Sequence, residues 1–369
     1  MDILARSKQM EAQGRDIIHM EIGEPDFPAP QPIMDAGIIA LQKQQTFYTS
    51  AQGLPELRAA ISEDYAERFN CTVDGQQIFI TPGASGAIQL VFSYVLQERK
   101  TLMIEDPTYP CNRNVAELLN AKIEAVAVDE TSNFQLDLKA VQTHWHEDVA
   151  AVLIASPSNP TGRVSDRQEL LAIADFLACK GSVLIVDEIY QGLNYDNAPS
   201  SVAGMRDNIF VINSFSKYFG MTGWRIGWCV TPKAYIKSLD AIAQNTYLAS
   251  STPAQFAALA AYHEQTFDIV EQRRSIFQQR RDLICDALND MSIKVPCIPQ
   301  GAFYVYVNIA DVSQDSFQFC QQLLEETGVA VTPGCDFGHY RAEQFIRLAY
   351  TSHEDRLYEG MKRLKNFIA

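Results

Sequence analysis

Short apolar runs alternate with amphipathic stretches along most of this chain, the pattern of strands and helices taken in turn. Ile78–Ile80, Thr101–Ile104, residues 149–155, Val183–Val186 and Ile209–Ile212 have no polar face. Each predicts a strand buried on both sides, as in a parallel sheet. The segments between them carry helical periodicity. One helix has Pro55 in its first turn and Leu57, Ala60, Ile61 and Tyr65 on its inner face; another follows the small-residue turn Thr81–Gly86, from Ala87 onward. A third opens with Ser165-Asp166-Arg167-Gln168, read as a capping box, presents Leu170, Leu171, Ala174 and Leu177 as an apolar stripe, and stops at Gly181. Strand-helix alternation of this kind predicts an α/β fold: a large domain with a mostly parallel central sheet flanked by helices.

The two ends of the chain depart from that pattern. Residues 3–13 read as a helix ended by Gly14, and residues 17–22 as a strand running into Gly23-Glu24-Pro25-Asp26-Phe27-Pro28. After Pro253 opens a helix, a long helical pattern covers about 265–288 and links to a second, α+β domain. There the pattern predicts strands over 301–307 and 345–350, a helix over 317–326, and a last helix capped by Ser352-His353-Glu354-Asp355.

Chemistry collects where the strands end. Open α/β sheets bind ligands outside the carboxyl ends of their strands, and the loops there hold Gly83, Tyr109, Asn159, Asp187 and Lys217. Singly, each has a structural reading: a steric glycine, a packing tyrosine, a capping carboxylate, a solvated lysine. Five at one sheet edge point to an enzyme site. The stretch Ser214-Phe215-Ser216-Lys217-Tyr218-Phe219-Gly220-Met221-Thr222-Gly223-Trp224-Arg225 is its centre. Lys217 is placed to form a Schiff base with pyridoxal phosphate, with Ser214 and Arg225 on the phosphate. The turn at Ala84 and Ser85 opens a helix whose free amides suit the same anion. A carboxylate ending a buried strand needs a partner, and Asp187 reads either as a cap or ion pair or as aimed at a protonated ring nitrogen. Arg347, inside an apolar strand, needs an anion, either an internal carboxylate or a ligand.

Composition narrows the partners. Hydrophobic residues make up 47% of the 369 and charged residues 20%, as in ordinary soluble proteins, and the formal net charge of −15 disfavours nucleic acid and anionic membrane surfaces. The eight cysteines (71, 111, 179, 229, 285, 297, 320, 335) include no C-x-x-C pair. They are expected to be reduced thiols of a cytoplasmic protein with no metal site. No signal-like segment or apolar span of about 18 residues is present.

Together the motifs resemble those of the class I/II aminotransferases, the fold-type I pyridoxal-phosphate enzymes. The resemblance runs from Ile22-Gly23-Glu24-Pro25-Asp26-Phe27 through Ser158-Asn159-Pro160-Thr161-Gly162, Asp187-Glu188-Ile189-Tyr190 and the lysine stretch to Arg347. It implies that Lys217 holds the cofactor and shuttles the proton, that Asp187 keeps the ring nitrogen protonated, and that Tyr190 and Asn159 hydrogen-bond the ring hydroxyl. Tyr109 would stack on the ring; Ala84, Ser85, Ser214, Ser216 and Arg225 would hold the phosphate. Tyr48 would reach that phosphate from a neighbouring subunit, which requires a homodimer. Arg347 would clamp the substrate α-carboxylate, assisted by Gly23. The implied domains are 30–270, the large one, and 1–29 plus 271–369, a discontinuous small one that closes over amino-acid and 2-oxo acid substrates.

Substrate choice stays open at this level. Some relatives bind dicarboxylates with an arginine supplied by the partner chain after the lysine motif, and Gln244–Ser251 has no basic residue. Arg113, four residues after Tyr109, reads either as a partner for a side-chain carboxylate or as structural. Two other functions use the same motifs: a C–S β-lyase on the same fold, and a non-catalytic pyridoxal-phosphate-binding protein or regulator.

Overall fold

The computed structural model describes residues 2–196 and 198–369. In chain order its first half contains α1 (Asp2–Ala12), β1 (Ile18–His19), α2 (Gln31–Gln42), α3 (Pro55–Phe69), β2 (Ile78–Thr81), α4 (Gly83–Val95), β3 (Thr101–Asp106), α5 (Pro110–Leu118), β4 (Lys122–Ala127), α6 (Leu138–His144), β5 (Val149–Ala155) and α7 (Arg167–Cys179). The second half adds β6 (Val183–Asp187), β7 (Ile209–Ser214), β8 (Gly227–Val230), α8 (Ile236–Thr246), α9 (Thr252–Leu259), α10 (Glu264–Asp290), β9 (Tyr304–Asn308), α11 (Ser316–Thr327), β10 (Val329–Ala330), β11 (Thr332–Pro333), β12 (Phe345–Ala349) and α12 (Glu354–Ile368).

Seven strands form the central sheet in the order β2-β8-β7-β6-β5-β3-β4. Only β8 runs antiparallel to its neighbours, so the sheet is mostly parallel as the pattern predicts. Strands β3, β5, β6 and β7 are buried along their whole length. That is why they lack a polar face: helices cover both sides, and each side has its own apolar cluster.

A three-stranded antiparallel sheet, β11-β12-β9, lies in the C-terminal part. Strand β1 pairs in parallel with β10, Ile18 opposite Val329, so the first residues of the chain are built into its last hundred. The 27-residue α10 runs between the two regions. Its Arg280 is buried and holds both oxygens of Asp26 at 2.8 and 2.9 Å, pinning the turn that carries Gly23.

Three local expectations need correcting. The strand predicted over 17–22 shrinks to Ile18–His19: Met20 still bonds the backbones of Ala330 and Ala349, but the Glu21 and Ile22 carbonyls accept from the Thr332 and Thr351 hydroxyls instead of from a strand. Helix α4 starts at Gly83 instead of Ala87, so Ala84 and Ser85 lie in its first turn. At α7 the cap is Asp166, not Ser165: its carboxylate accepts from the N–H of Gln168 at 2.8 Å and Glu169 at 3.2 Å. The Ser165 N–H is drawn instead to the Ser156 hydroxyl, 3.0 Å away.

Candidate active site

The ends of β3, β5, β6 and β7 open on a cavity of about 440 Å³ that also meets the start of α4 and the inner strand β12. The structure brings Gly23, Ala84, Ser85, Tyr109, Asn159, Asp187, Tyr190, Ser216, Lys217, Arg225 and Arg347 to its walls. Strand register does this. Ala155 of β5 stands opposite Asp187, Asp187 opposite Ile212 of β7, and Lys217 follows within one turn of chain.

Lys217 projects its Nζ to the Gly23 carbonyl at 2.7 Å. Burial, aided by the Arg347 charge, pulls its pKa down to about 8 against the pull of Glu24 and Asp187. Asp187 is buried, and its only side-chain hydrogen bond among the described residues comes from the Ile189 N–H at 3.1 Å. Burial raises its pKa to about 6, opposed by that bond and by Lys217. A buried carboxylate so sparsely satisfied has capacity for a donor from a ligand.

Arg347 is buried and has no carboxylate partner among the described residues, which removes the internal-ion-pair reading. Its guanidinium donates to Asn159 Oδ1 at 2.9 Å, the Glu21 carbonyl at 2.6 Å and Thr332 Oγ1 at 3.3 Å, while Nε has no partner. It lies over the Tyr304 ring, 4.1 Å from the centroid. A desolvated cation held this way is a receptor for an anion.

At the other end of the cavity α4 begins with Pro82 as its cap residue and no side-chain cap, leaving the first amides without side-chain acceptors. Arg225 donates to the Thr222 carbonyl at 2.9 Å and lies 3.4 Å from the Ser216 hydroxyl. Free amides, a hydroxyl and a guanidinium fit a phosphate, and Asp187 fits a protonated ring nitrogen. The residues present therefore fit pyridoxal phosphate.

One of the predicted contacts is arranged differently. Ser214 lies behind the wall, its hydroxyl 2.9 Å from that of Ser216 and 3.1 Å from the Ile226 carbonyl; it braces Ser216. Tyr48 is 82% exposed and stands away from the cavity of its own chain. Tyr304 is the residue that sequence reasoning passed over. It sits in β9 between the apolar Phe303 and Val305. Its hydroxyl meets that of Tyr190 at 2.8 Å. Any Cβ on residue 23 would overlap the Tyr304 hydroxyl, so glycine there is what lets the backbone reach Lys217. Glu24 and Thr222, hydrogen-bonded to each other at 2.5 Å, also line the cavity and were not singled out.

Comparison with known proteins agrees with this geometry. The family model described as aminotransferase class I and II matches residues 15–364. The chain is 35% identical to a (5-formylfuran-3-yl)methyl phosphate transaminase of Methanocaldococcus jannaschii, covering 100% of this chain and 96% of that protein. It is 32% identical to a valine–pyruvate aminotransferase of Mycobacterium tuberculosis, covering 100% and 95%. Among solved structures it is similar to an aminotransferase from Mycobacterium tuberculosis, with a TM-score of 0.96 at 32% identity over 100% of this chain and 95% of the other. Aspartate aminotransferase from Thermus thermophilus with maleate gives 0.94 at 29% identity over 99% and 95%. With its lysine, carboxylate and arginine facing one cavity in this fold, the chain belongs to the class I and II aminotransferases and is a pyridoxal-phosphate-dependent transferase of amino groups.

Proposed function

We propose that this enzyme moves the α-amino group of an amino acid to a 2-oxo acid with the residues named here in specific roles. The observation that carries the assignment is the pair Lys217 and Arg347: two cations on one cavity, neither in an ion pair with a carboxylate among the described residues. Bound pyridoxal phosphate supplies the carbonyl carbon that takes the amine and a protonated ring that accepts electron density from the substrate Cα–H bond. Lys217 Nζ, its pKa lowered by burial, would take the proton from the substrate Cα and serve as the group that gives a proton back to complete the transfer. Arg347 orients the substrate α-carboxylate beside Gly23, setting the Cα–H bond toward Nζ. Asp187 holds the proton on the ring nitrogen. Tyr190 and Asn159 serve the ring hydroxyl, and Tyr109 covers one ring face, limiting water. The α4 amides of Ala84 and Ser85, with Ser216 braced by Ser214, and Arg225 hold the phosphate.

The same proposal includes a homodimer in the cytoplasm. Ile38, Leu41, Phe47 and Tyr48 are large apolar or aromatic side chains with 51–82% of their surface exposed, on α2 and the loop after it. An apolar surface of that kind supports a partner subunit, to whose phosphate site Tyr48 would contribute. The eight free cysteines support a reducing compartment, and no helix among the described residues is long and apolar enough to cross a membrane. Residues 1–29 with 271–369 would move as the small domain, closing over substrate on residues 30–270.

The test is to mix purified holoenzyme with single amino acids and no oxo acid, following the absorbance of the bound cofactor and the products. Transfer predicts one 2-oxo acid per site and no ammonia. Thiol and pyruvate released together would identify a β-lyase, and no conversion with any amino acid would indicate a binding role.

A further inference from the structure

The site as described seats the amino and carboxylate groups of a substrate and leaves its side chain unplaced. A second cavity of about 870 Å³ adjoins it and shares Gly23, Tyr109 and Arg347 with it, so a substrate clamped by Arg347 has its side chain at the opening. The chamber is walled by Ile3 and Leu4 of α1, the start of α5, and the segment around Phe337.

Basic groups are few on these walls. Lys217, Arg225 and Arg347 serve the cofactor and the α-carboxylate; Arg113 and His339 remain. Arg113 Nη2 is buried and has no hydrogen-bond partner. Its nearest carboxylate is Asp106, with Oδ2 at 3.5 Å. Asp106 is already engaged: both its oxygens lie 3.0 Å from the His339 N–H, and a Cβ on Gly338 would overlap its Oδ1. Arg113 thus lines the chamber paired with Asp106 by charge, its Nη2 making no hydrogen bond, so the guanidinium keeps donor capacity for an acceptor that enters beside it. Three carboxylates, Glu21, Glu117 and Asp336, are also on the wall; His19 Nδ1 lies 2.7 Å from Glu21 Oε1, and that contact raises the His19 pKa to about 9. The imidazolium offsets the Glu21 charge at neutral pH.

We propose that this chamber is the side-chain pocket and that Arg113 binds the terminal carboxylate of acidic donors such as glutamate and 2-aminoadipate. This rests on the aminotransferase reading above and adds the determinant of its specificity.

The test compares holoenzyme with Arg113→Gln and Arg113→Lys, measuring kcat/KM of the half-reaction for glutamate and 2-aminoadipate against norvaline and norleucine. In Arg113→Gln the acid-to-alkyl ratio of kcat/KM is expected to fall about 10- to 100-fold, the worth of a charge-assisted hydrogen bond, and Arg113→Lys to recover part of it. Equal losses for both donor classes would mean that Arg113 only supports the Asp106–His339 contact, overturning the proposal while leaving amino transfer intact. An unaltered ratio, or a wild-type enzyme that rejects acidic donors, overturns it as well. A wild-type enzyme that converts none of the donors overturns the aminotransferase assignment together with this one.

Discussion

Replacing Arg347 by alanine tests the centre of the mechanism. The side chain is proposed to form a two-bonded fork with the substrate α-carboxylate, each bond charge-assisted and shielded from water. Such bonds contribute about 1.5–3 kcal/mol each, so losing two lowers kcat/KM by about 10²- to 10⁴-fold. Every amino-acid donor shares the α-carboxylate, so the loss should be similar for alanine, methionine and glutamate and appear chiefly in KM. A second effect accompanies it. Arg347 is among the charges that lower the Lys217 pKa, and Lys217 acts as a base only when unprotonated, so removing Arg347 should move the acidic limb of the kcat/KM profile to higher pH. The truncation also leaves the buried acceptors Asn159 Oδ1, the Glu21 carbonyl and Thr332 Oγ1 short of a donor. Arg347→Lys is therefore the control for folding: it keeps the charge and loses the planar fork. The assay is single-turnover conversion of bound cofactor by each donor across pH 6–10, with melting curves of both variants. A defect confined to one donor, or a pH limb that stays in place in a variant that still melts like the wild type, would refute the clamp.

Lys217→Ala should yield a folded protein that binds cofactor and does not turn over; ordinary transamination by it in a product assay would remove the lysine from its role. Asp187→Asn should abolish most activity and yet stabilise the cofactor-free protein above pH 6. The folded carboxyl titrates near 6 against an ordinary 3.8, so between those values the folded state holds more protons than the unfolded and stability falls as pH rises. The full cost, about 3 kcal/mol from a shift of roughly two pKa units, is present above pH 6 and absent below about pH 4. Urea melts of the cofactor-free variant and wild type at pH 4 and pH 8 measure it; equal midpoints at pH 8 would contradict the burial argument. Gly23→Ala should push Tyr304 out of its contact with Tyr190 and lower stability by about 1–3 kcal/mol, read as a lower melting temperature with reduced kcat/KM for all donors; wild-type behaviour in both would show that the close approach is not needed.

The sequence by itself determined the α/β fold, the identity of the buried strands and most of the site. Continuous apolar runs such as Val183–Val186 have one stable use, a strand covered on both faces, and each is followed at once by its chemistry, as Asp187 and Lys217 follow theirs. Short-range order of this kind is written in neighbouring residues. What depends on groups far apart in the chain was decided only by the tertiary structure. Arg347 reads alone as a buried arginine wanting an anion; packing gives it Asn159, 188 residues away, and the Glu21 carbonyl, 326 away, and no carboxylate. Tyr304 reads as one more inward-facing residue of a strand until Gly23 and Tyr190 arrive beside its hydroxyl. Ser214 and Asp166 show the same at short range, where competition among adjacent donors and acceptors, rather than residue type, fixes which hydroxyl braces and which carboxylate caps. Arg113 is the plainest instance: its sequence admits a structural or a functional role, and only packing shows it paired by charge with Asp106, whose oxygens the His339 amide also holds, with Nη2 making no hydrogen bond.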